Sequence, residues 1–238
     1  MGLLFDTRSS DSSWIDSVWT CRSEQVTQMT SVASETWGLV FWEQGRTAHA
    51  AVTGPESCSG TADVPEDATF LGIQFAVGTS LRMVSTPSLV DGGIVLPDAS
   101  RLTFWLDGRR WAKPQSDDAE GLVEGLVRDT VVVRDPLVTQ AVRGNGDGRA
   151  VTDRTLERRF RAATGLSRGA VRQIERVRVA ADLLIAGETV SDVVVKLGYY
   201  DEPHLARALR RHVGRTARQL REGLGGAIAL DAAQRTTS

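Results

Sequence analysis

Cysteine, histidine and tyrosine are scarce in this 238-residue chain, at two, three and two residues. Two thiols, Cys21 and Cys58, are too few for a disulfide framework or a zinc site, and they read as small buried residues rather than reactive ones. Long apolar runs are missing as well. Nothing approaches the ~20 residues of a membrane span. The opening MGLLFDTRSSDSS has neither the basic leader nor the apolar centre of a secretory signal. A cytoplasmic protein with no membrane partner is therefore expected. The phosphate-cradling glycine loop and the nucleophile elbow are also absent. The first 134 residues contain a single histidine, His49, whereas a catalytic metal in a small β-barrel needs a cluster of His and carboxylate ligands. No catalytic residue, metal site or cofactor is expected, and the chain does not read as an enzyme.

Acidic and basic charge are unevenly placed. The net charge is only −2. Between Arg143 and Arg221, however, there are 17 Lys and Arg against 9 Asp and Glu, leaving 11 against 21 elsewhere. An acidic half and a basic half suggest two domains with different partners, the basic one suited to a polyanion. Solvated surface helices would show the same balance, so charge alone does not decide.

All six tryptophans lie between Trp14 and Trp111. Segments such as WGLVFWE (Trp37–Glu43) and TFLGIQFAV (Thr69–Val77) read as strands between Gly/Pro-rich turns, and Gln44-Gly45 suggests a hairpin. From about Ser12 to Lys113 the pattern fits a small β-sandwich or barrel. The acidic run after Pro114 leads into an expected helix, Ala119–Arg128.

Past Asp135-Pro136 the period becomes helical. A short helix, Leu137–Arg143, is followed by the breaker GNGDG at 144–148. Thr152 or Asp153 can cap a helix that buries Leu156 and Phe160 and ends at Gly165. Ser167 caps a longer helix to Ala186, with Val171, Ile174, Val177, Ala181 and Leu184 on one stripe. In TVSDVVVKLGYYDEPHLARALRRHVG, Thr189 and Asp192 resemble a capping box, and Val190, Val193, Val194 and Leu197 point inward. Gly198 supplies a turn. Asp201 then caps a second helix whose inward face is Leu205, Leu209 and Val213. Two short helices about a glycine turn are a helix-turn-helix motif, whose second helix enters the major groove of DNA.

At GYYDEPHLARALRRHVG the chain resembles the AraC/XylS family of bacterial regulators. Gly198, Tyr199, Asp201, His204, Leu205, Arg207, Leu209, Arg210 and Gly214 fall in that family's register, and RTLERRFRAATGLSRGAVRQIERVRVAADLL is similar to the preceding part of the same domain. The front blocks SVASETWGLVF, TGPES, FLGIQFAVG, FWLDGRRW and RDPLV are similar to the cupin-like sensor of a subgroup of the family. The resemblance implies an α+β chain. A small cupin-like β-barrel or sandwich for sensing or dimerisation (1–134) would precede an all-α double helix-turn-helix domain (135–223) and a loosely ordered tail (224–238).

It also implies that one rigid helix joins two reading heads set against neighbouring major grooves. Ser167–Ala186, at ~1.5 Å per residue, is about 30 Å long, near the ~34 Å between such grooves. The DNA-contacting residues so implied are Arg154, Thr155, Arg158, Arg159 and Arg161 in the first unit. In the second they are Glu202, His204, Arg207, Arg210 and Arg211. Arginine suits the role because its planar fork grips guanine or phosphate with two bonds. Partners so implied are double-stranded DNA, a small-molecule effector, RNA polymerase and a second copy of the chain.

The sequence departs from the family at three points. Only fifteen residues separate Pro136 from Thr152, so the first unit is abbreviated where a full positioning helix belongs. Glu202 stands where the subgroup has Gln, and Ala217 where a proline is usual. The alternatives are a cupin-like enzyme with a vestigial helical module, or a regulator acting through protein contacts alone. Trp side chains with Phe41, Phe70, Phe75 and Phe104 could line an effector pocket or form plain core.

Overall fold

In the computed structural model, which describes residues 3–25, 28–142, 152–226 and 228, a β-rich front half leads into a helical back half. The front half contains β1 (Leu3–Arg8), β2 (Ile15–Ser23), β3 (Gln28–Ser31), β4 (Gly38–Gln44), β5 (Thr47–Thr53) and β6 (Gly60–Asp63). It continues through β7 (Ala68–Phe75), β8 (Thr79–Leu81), β9 (Gly93–Val95), β10 (Thr103–Leu106) and β11 (Arg109–Ala112), then α1 (Ala119–Arg128) and β12 (Val132–Arg134). One six-stranded antiparallel sheet runs in the order β1-β2-β7-β4-β5-β9, while β3 pairs with β6, β10 with β11 and β12 with β8. The sheet starts at Leu3, earlier than the expected Ser12. β1 pairs along its whole length with β2, yet no residue in it is fully buried, so its apolar signal is weak.

Alternation along the central strands divides the sheet's two faces. Leu39 and Phe41 of β4 and Ile73 and Phe75 of β7 point to one side, where Phe104, Trp111, Leu122 and Leu126 complete a buried core. Trp37 stacks on Phe75 with ring centroids 4.0 Å apart and donates its indole N–H to the Thr79 carbonyl at 3.0 Å. Phe41, Phe75 and Phe104 are therefore core, not pocket lining. Gly45, at φ 58°, closes the expected β4–β5 hairpin. The α1 helix has the bounds read from the sequence. Arg8 holds it through two 2.7 Å bonds to Glu120, whose carboxyl that contact pulls down to about 2. Cys21 is buried and its thiol is pushed up to about 11, but Cys58 lies exposed in the loop before β6, contrary to the expectation of two buried cysteines.

The back half holds α2 (Pro136–Val142), α3 (Asp153–Thr164), α4 (Arg168–Ile185), α5 (Val190–Leu197), α6 (Glu202–His212) and α7 (Ala217–Glu222). The caps fall where side-chain chemistry placed them. Thr152, Ser167, Thr189 and Asp201 each accept a backbone N–H of the first turn, and Gly165 and Gly198 close α3 and α5 in the left-handed region. The α4 stripe Val171, Ile174, Val177, Ala181 and Leu184 is buried throughout. Among the inward residues proposed for α5, only Val193 is fully buried; Val190, Val194, Leu197, and Leu156 in α3, are half-buried, because these short helices cover one side of a small core. The breaker GNGDG and most of the expected loose tail lie outside the described residues. Within the tail, Ile228 bridges Thr30.

The two halves share their cores. Val32 packs into the cluster formed by α4, α5 and α6, and Ala33 joins Val138, Phe160 and Ile174. No described helix is long and apolar enough to cross a membrane.

Candidate nucleic-acid interface

The second unit is built around α6. Its inward residues Leu205 and Leu209 have no solvent exposure, and Val213 beyond its end is equally covered. That leaves Glu202, Arg207, Arg210 and Arg211 on the solvent side. Asp201 accepts the His204 N–H at 2.7 Å, fixing the start of the helix, and the left-handed Gly198 allows α5 to turn into it. His204 lies closer to the scaffold than expected. It is half-buried, with its ring edge-on to Tyr199 at 5.3 Å and Nδ1 facing the Tyr200 N–H at 3.4 Å. Glu202 accepts the Ser191 hydroxyl at 2.9 Å, bracing α6 against the start of α5. Arg176 of α4 lies 4.3 Å over the Tyr199 ring, so the connecting helix supports the same turn.

The first unit differs in construction. Its first helix, α2, is described over Pro136–Val142, and residues 143–152 separate that stretch from α3, whereas only 198–201 separate α5 from α6. Val138 of α2 shares a core with Phe160 of α3. On α3, Arg154 and Arg158 are exposed. The hydroxyl of Thr155 meets that of the capping Thr152 at 3.0 Å. Arg159 is bound to Asp135 at 3.1 Å, and Arg161 lies 3.7 Å from Glu157. Arg159 therefore ties α3 back to the residue that caps α2. Among the described residues, Arg154, Arg158, Arg207, Arg210 and Arg211 form no ion pair, so these five guanidinium groups lie open to a polyanion.

Between the heads, α4 has eighteen residues, about 27 Å at ~1.5 Å each. Besides the shared cores, the front half grips this scaffold through polar contacts. Glu35, 2% exposed, pairs with Arg178 of α4 at 3.2 Å. The Ala33 N–H donates to the His212 carbonyl at 2.8 Å, and the Ser59 N–H donates to the Arg211 carbonyl at 2.9 Å. Sequence reading missed this grip, although a charge inside the apolar block SVASETWGLVF was a legible sign of a buried partner. It also missed Tyr200, 90% exposed beside the start of α6.

His212 gives the grip a pH dependence. Its ring is buried, and both nitrogens lack a hydrogen-bond partner among the described residues. Burial, then the Arg211 charge, hold it below its ordinary value of 6.5 against a smaller opposing pull from the Ser57 backbone. The unfolded chain thus takes up this proton first. His212's contribution is complete above about 6.5 and is lost as pH falls toward the lower folded-state value. Denaturant unfolding should show stability falling on acidification through this window, with a shallower slope in His212→Leu. An equal slope in both proteins would remove His212 as the cause.

Among the described residues no group of three or more His, Cys, Asp or Glu is placed to hold a metal ion. Residues 149–223 match the family described as "Helix-turn-helix domain". The HTH-type transcriptional regulator RipA of Corynebacterium glutamicum is 36% identical over 86 residues, 36% of this chain and 26% of that protein. RipA of Corynebacterium diphtheriae is 39% identical over 66 residues, 28% of this chain and 20% of that protein. The chain thus spans about a quarter or less of the curated relatives it matches. Two crystal structures of ToxT from Vibrio cholerae align at TM-scores of 0.41 and 0.43 with 7% and 8% identity, covering 91% of this chain and 97% and 96% of theirs. With its motif in register and its helices and caps in place, the segment 149–223 is a helix-turn-helix domain of the AraC/XylS type.

Proposed function

We propose that the chain is a sequence-specific, DNA-binding transcriptional regulator, controlled through its front half by a small molecule or by dimerisation. The observation that carries this reading is the set of five open arginines on α3 and α6, two capped helices braced on a common α4. In this reading 1–134 is the sensing part, 135–223 the DNA-binding part and 224–238 a tail. The names of the matched relatives support the regulatory role. Base edges are met by the N-terminal part of α6 and phosphates by Arg210 and Arg211. Arg154 and Arg158 supply the first unit's contacts, Arg159 being held by Asp135 and Arg161 lying beside Glu157 at 3.7 Å. The exposed Tyr200 adds a phosphate contact beside α6. Double-stranded DNA is the principal partner, and RNA polymerase a further one.

The test is binding of the full chain to a pool of duplex fragments across a salt series. Each phosphate neutralised contributes about −0.9 to the slope of log affinity against log salt. Four arginines on phosphates, Arg154, Arg158, Arg210 and Arg211, correspond to a slope of about −3.6. No measurable affinity for any duplex at low salt, in a chain shown to be folded, removes the reading.

A further inference from the structure

On the sheet face opposite the main core, the structure contains a cavity of about 300 Å³. This is at the lower end of the ~300–1,000 Å³ range for small-molecule sites. Phe5, Trp19, Met29, Val40 and Phe70 make its walls apolar and aromatic. Position 72 is part of this design. A Cβ there would sit 2.0 Å from the Trp19 ring, so Gly72 lets that indole lie flat on β7. Only two of the aromatics considered from sequence, Trp19 and Phe70, line the cavity, with Phe5 added.

The charge left open at the cavity is that of Glu56. Asp16 on the same wall has a partner of its own, and the lining cation, Arg178, is already taken by Glu35 at 3.2 Å. Glu56 has one carboxylate oxygen, Oε2, buried without a hydrogen-bond partner among the described residues. An incoming carboxylate would meet like charge there, while an ammonium would supply the missing donor. We propose that this cavity binds a small aromatic amine, with its ring against Trp19 and Phe70 and its ammonium at Glu56. Burial pushes the Glu56 carboxyl above its ordinary value, a strain that a bound ammonium relieves.

The cavity wall also grips the DNA-reading half. Glu56 and Ser34 exchange backbone bonds at 2.8 and 2.9 Å; next to Ser34, Ala33 holds the His212 carbonyl, and Ser59, three residues on from Glu56, holds that of Arg211. A ligand that moves Glu56 therefore acts on the last turn of α6. This coupling rests on the regulatory reading above; the binding itself does not.

Calorimetry on the full chain without DNA compares tryptamine, its neutral isostere tryptophol and indole-3-acetate. Tryptamine is expected to bind about tenfold or more tighter than tryptophol, the size of effect a charge-assisted bond gives, with the acid weakest. Glu56→Gln should bring tryptamine down to the tryptophol level, and Trp19→Leu should weaken both. The ligand comparison on the unaltered chain decides even where a variant fails to fold. An acid that binds as tightly as the amine, or three ligands that all fail at millimolar concentration, overturns the proposal. Because no DNA is present, either result leaves the DNA-binding reading where it stood.

Discussion

Arg178→Ala is expected to lower the unfolding free energy of the chain by about 3–5 kcal/mol, the cost of leaving one partner of a buried ion pair uncompensated. Glu35 is 2% exposed and the Arg178 side chain 17%, so the carboxylate loses its charge partner in a poorly hydrated place once the guanidinium is gone. Glu35→Ala should cost a similar amount for the converse reason. Replacing both, as Glu35→Leu with Arg178→Met, should recover most of the loss, because the pair's mutual attraction is largely offset by the cost of burying it. Denaturant unfolding of the four proteins closes this cycle. Single variants within about 0.5 kcal/mol of the parent, the range of ordinary surface substitutions, would show that the contact is solvated in solution. A double variant as poor as either single one would show that the pair contributes far more than burial accounting allows.

The back half was legible because short-range rules governed it. Thr152, Ser167, Thr189 and Asp201 cap through bonds spanning three residues, and Gly165 and Gly198 end helices by their own backbone freedom. A pattern of that range is written within one segment. The front half depends on pairings between distant residues, such as Phe41 beside Leu71 in the sheet, and no local period says which strand lies next to which. The edge strand β1 was invisible for a related reason, since one partner strand half-buries it without forcing a clean alternation.

The site was legible in part. Exposure of Arg154, Arg158, Arg207, Arg210 and Arg211 follows from helical spacing around Phe160, Leu205 and Leu209. The engagement of Arg159 depends on Asp135, twenty-four residues away and on the far side of α2, and that required three dimensions. His204 shows the same limit. Its position on the helix was right, but Tyr199 draws its ring toward the turn. The grip of the front half on α4 had one sequence signal, Glu35, and its grip on α6 had none, because backbone bonds such as Ser59 to Arg211 carry no side-chain signature.

The two reading heads are expected to contribute unequally, with α6 carrying most of the base discrimination. A recognition helix reads base edges only when its partner fixes its angle in the groove. For α6 that support is close, with α5 joined through residues 198–201, Glu202 braced on Ser191 and Tyr199 packed under Arg176. For α3 it is α2, described over Pro136–Val142 and reached through 143–152, with Arg159 bound to Asp135 and Arg161 lying 3.7 Å from Glu157. Arg207→Ala should therefore relax preference at particular base pairs, by about 1–3 kcal/mol for a base contact, roughly five- to 150-fold. Arg154→Ala should weaken binding to all sequences alike and make the salt slope shallower by about 0.9, as the loss of one phosphate contact requires. His204→Ala should act through the turn, lowering stability and affinity together without a base-specific signature. Binding-site selection on each variant, paired with salt titration, separates these outcomes. Loss of preference at defined bases in Arg154→Ala, with Arg207→Ala weakened uniformly, would assign the reading role to α3 instead.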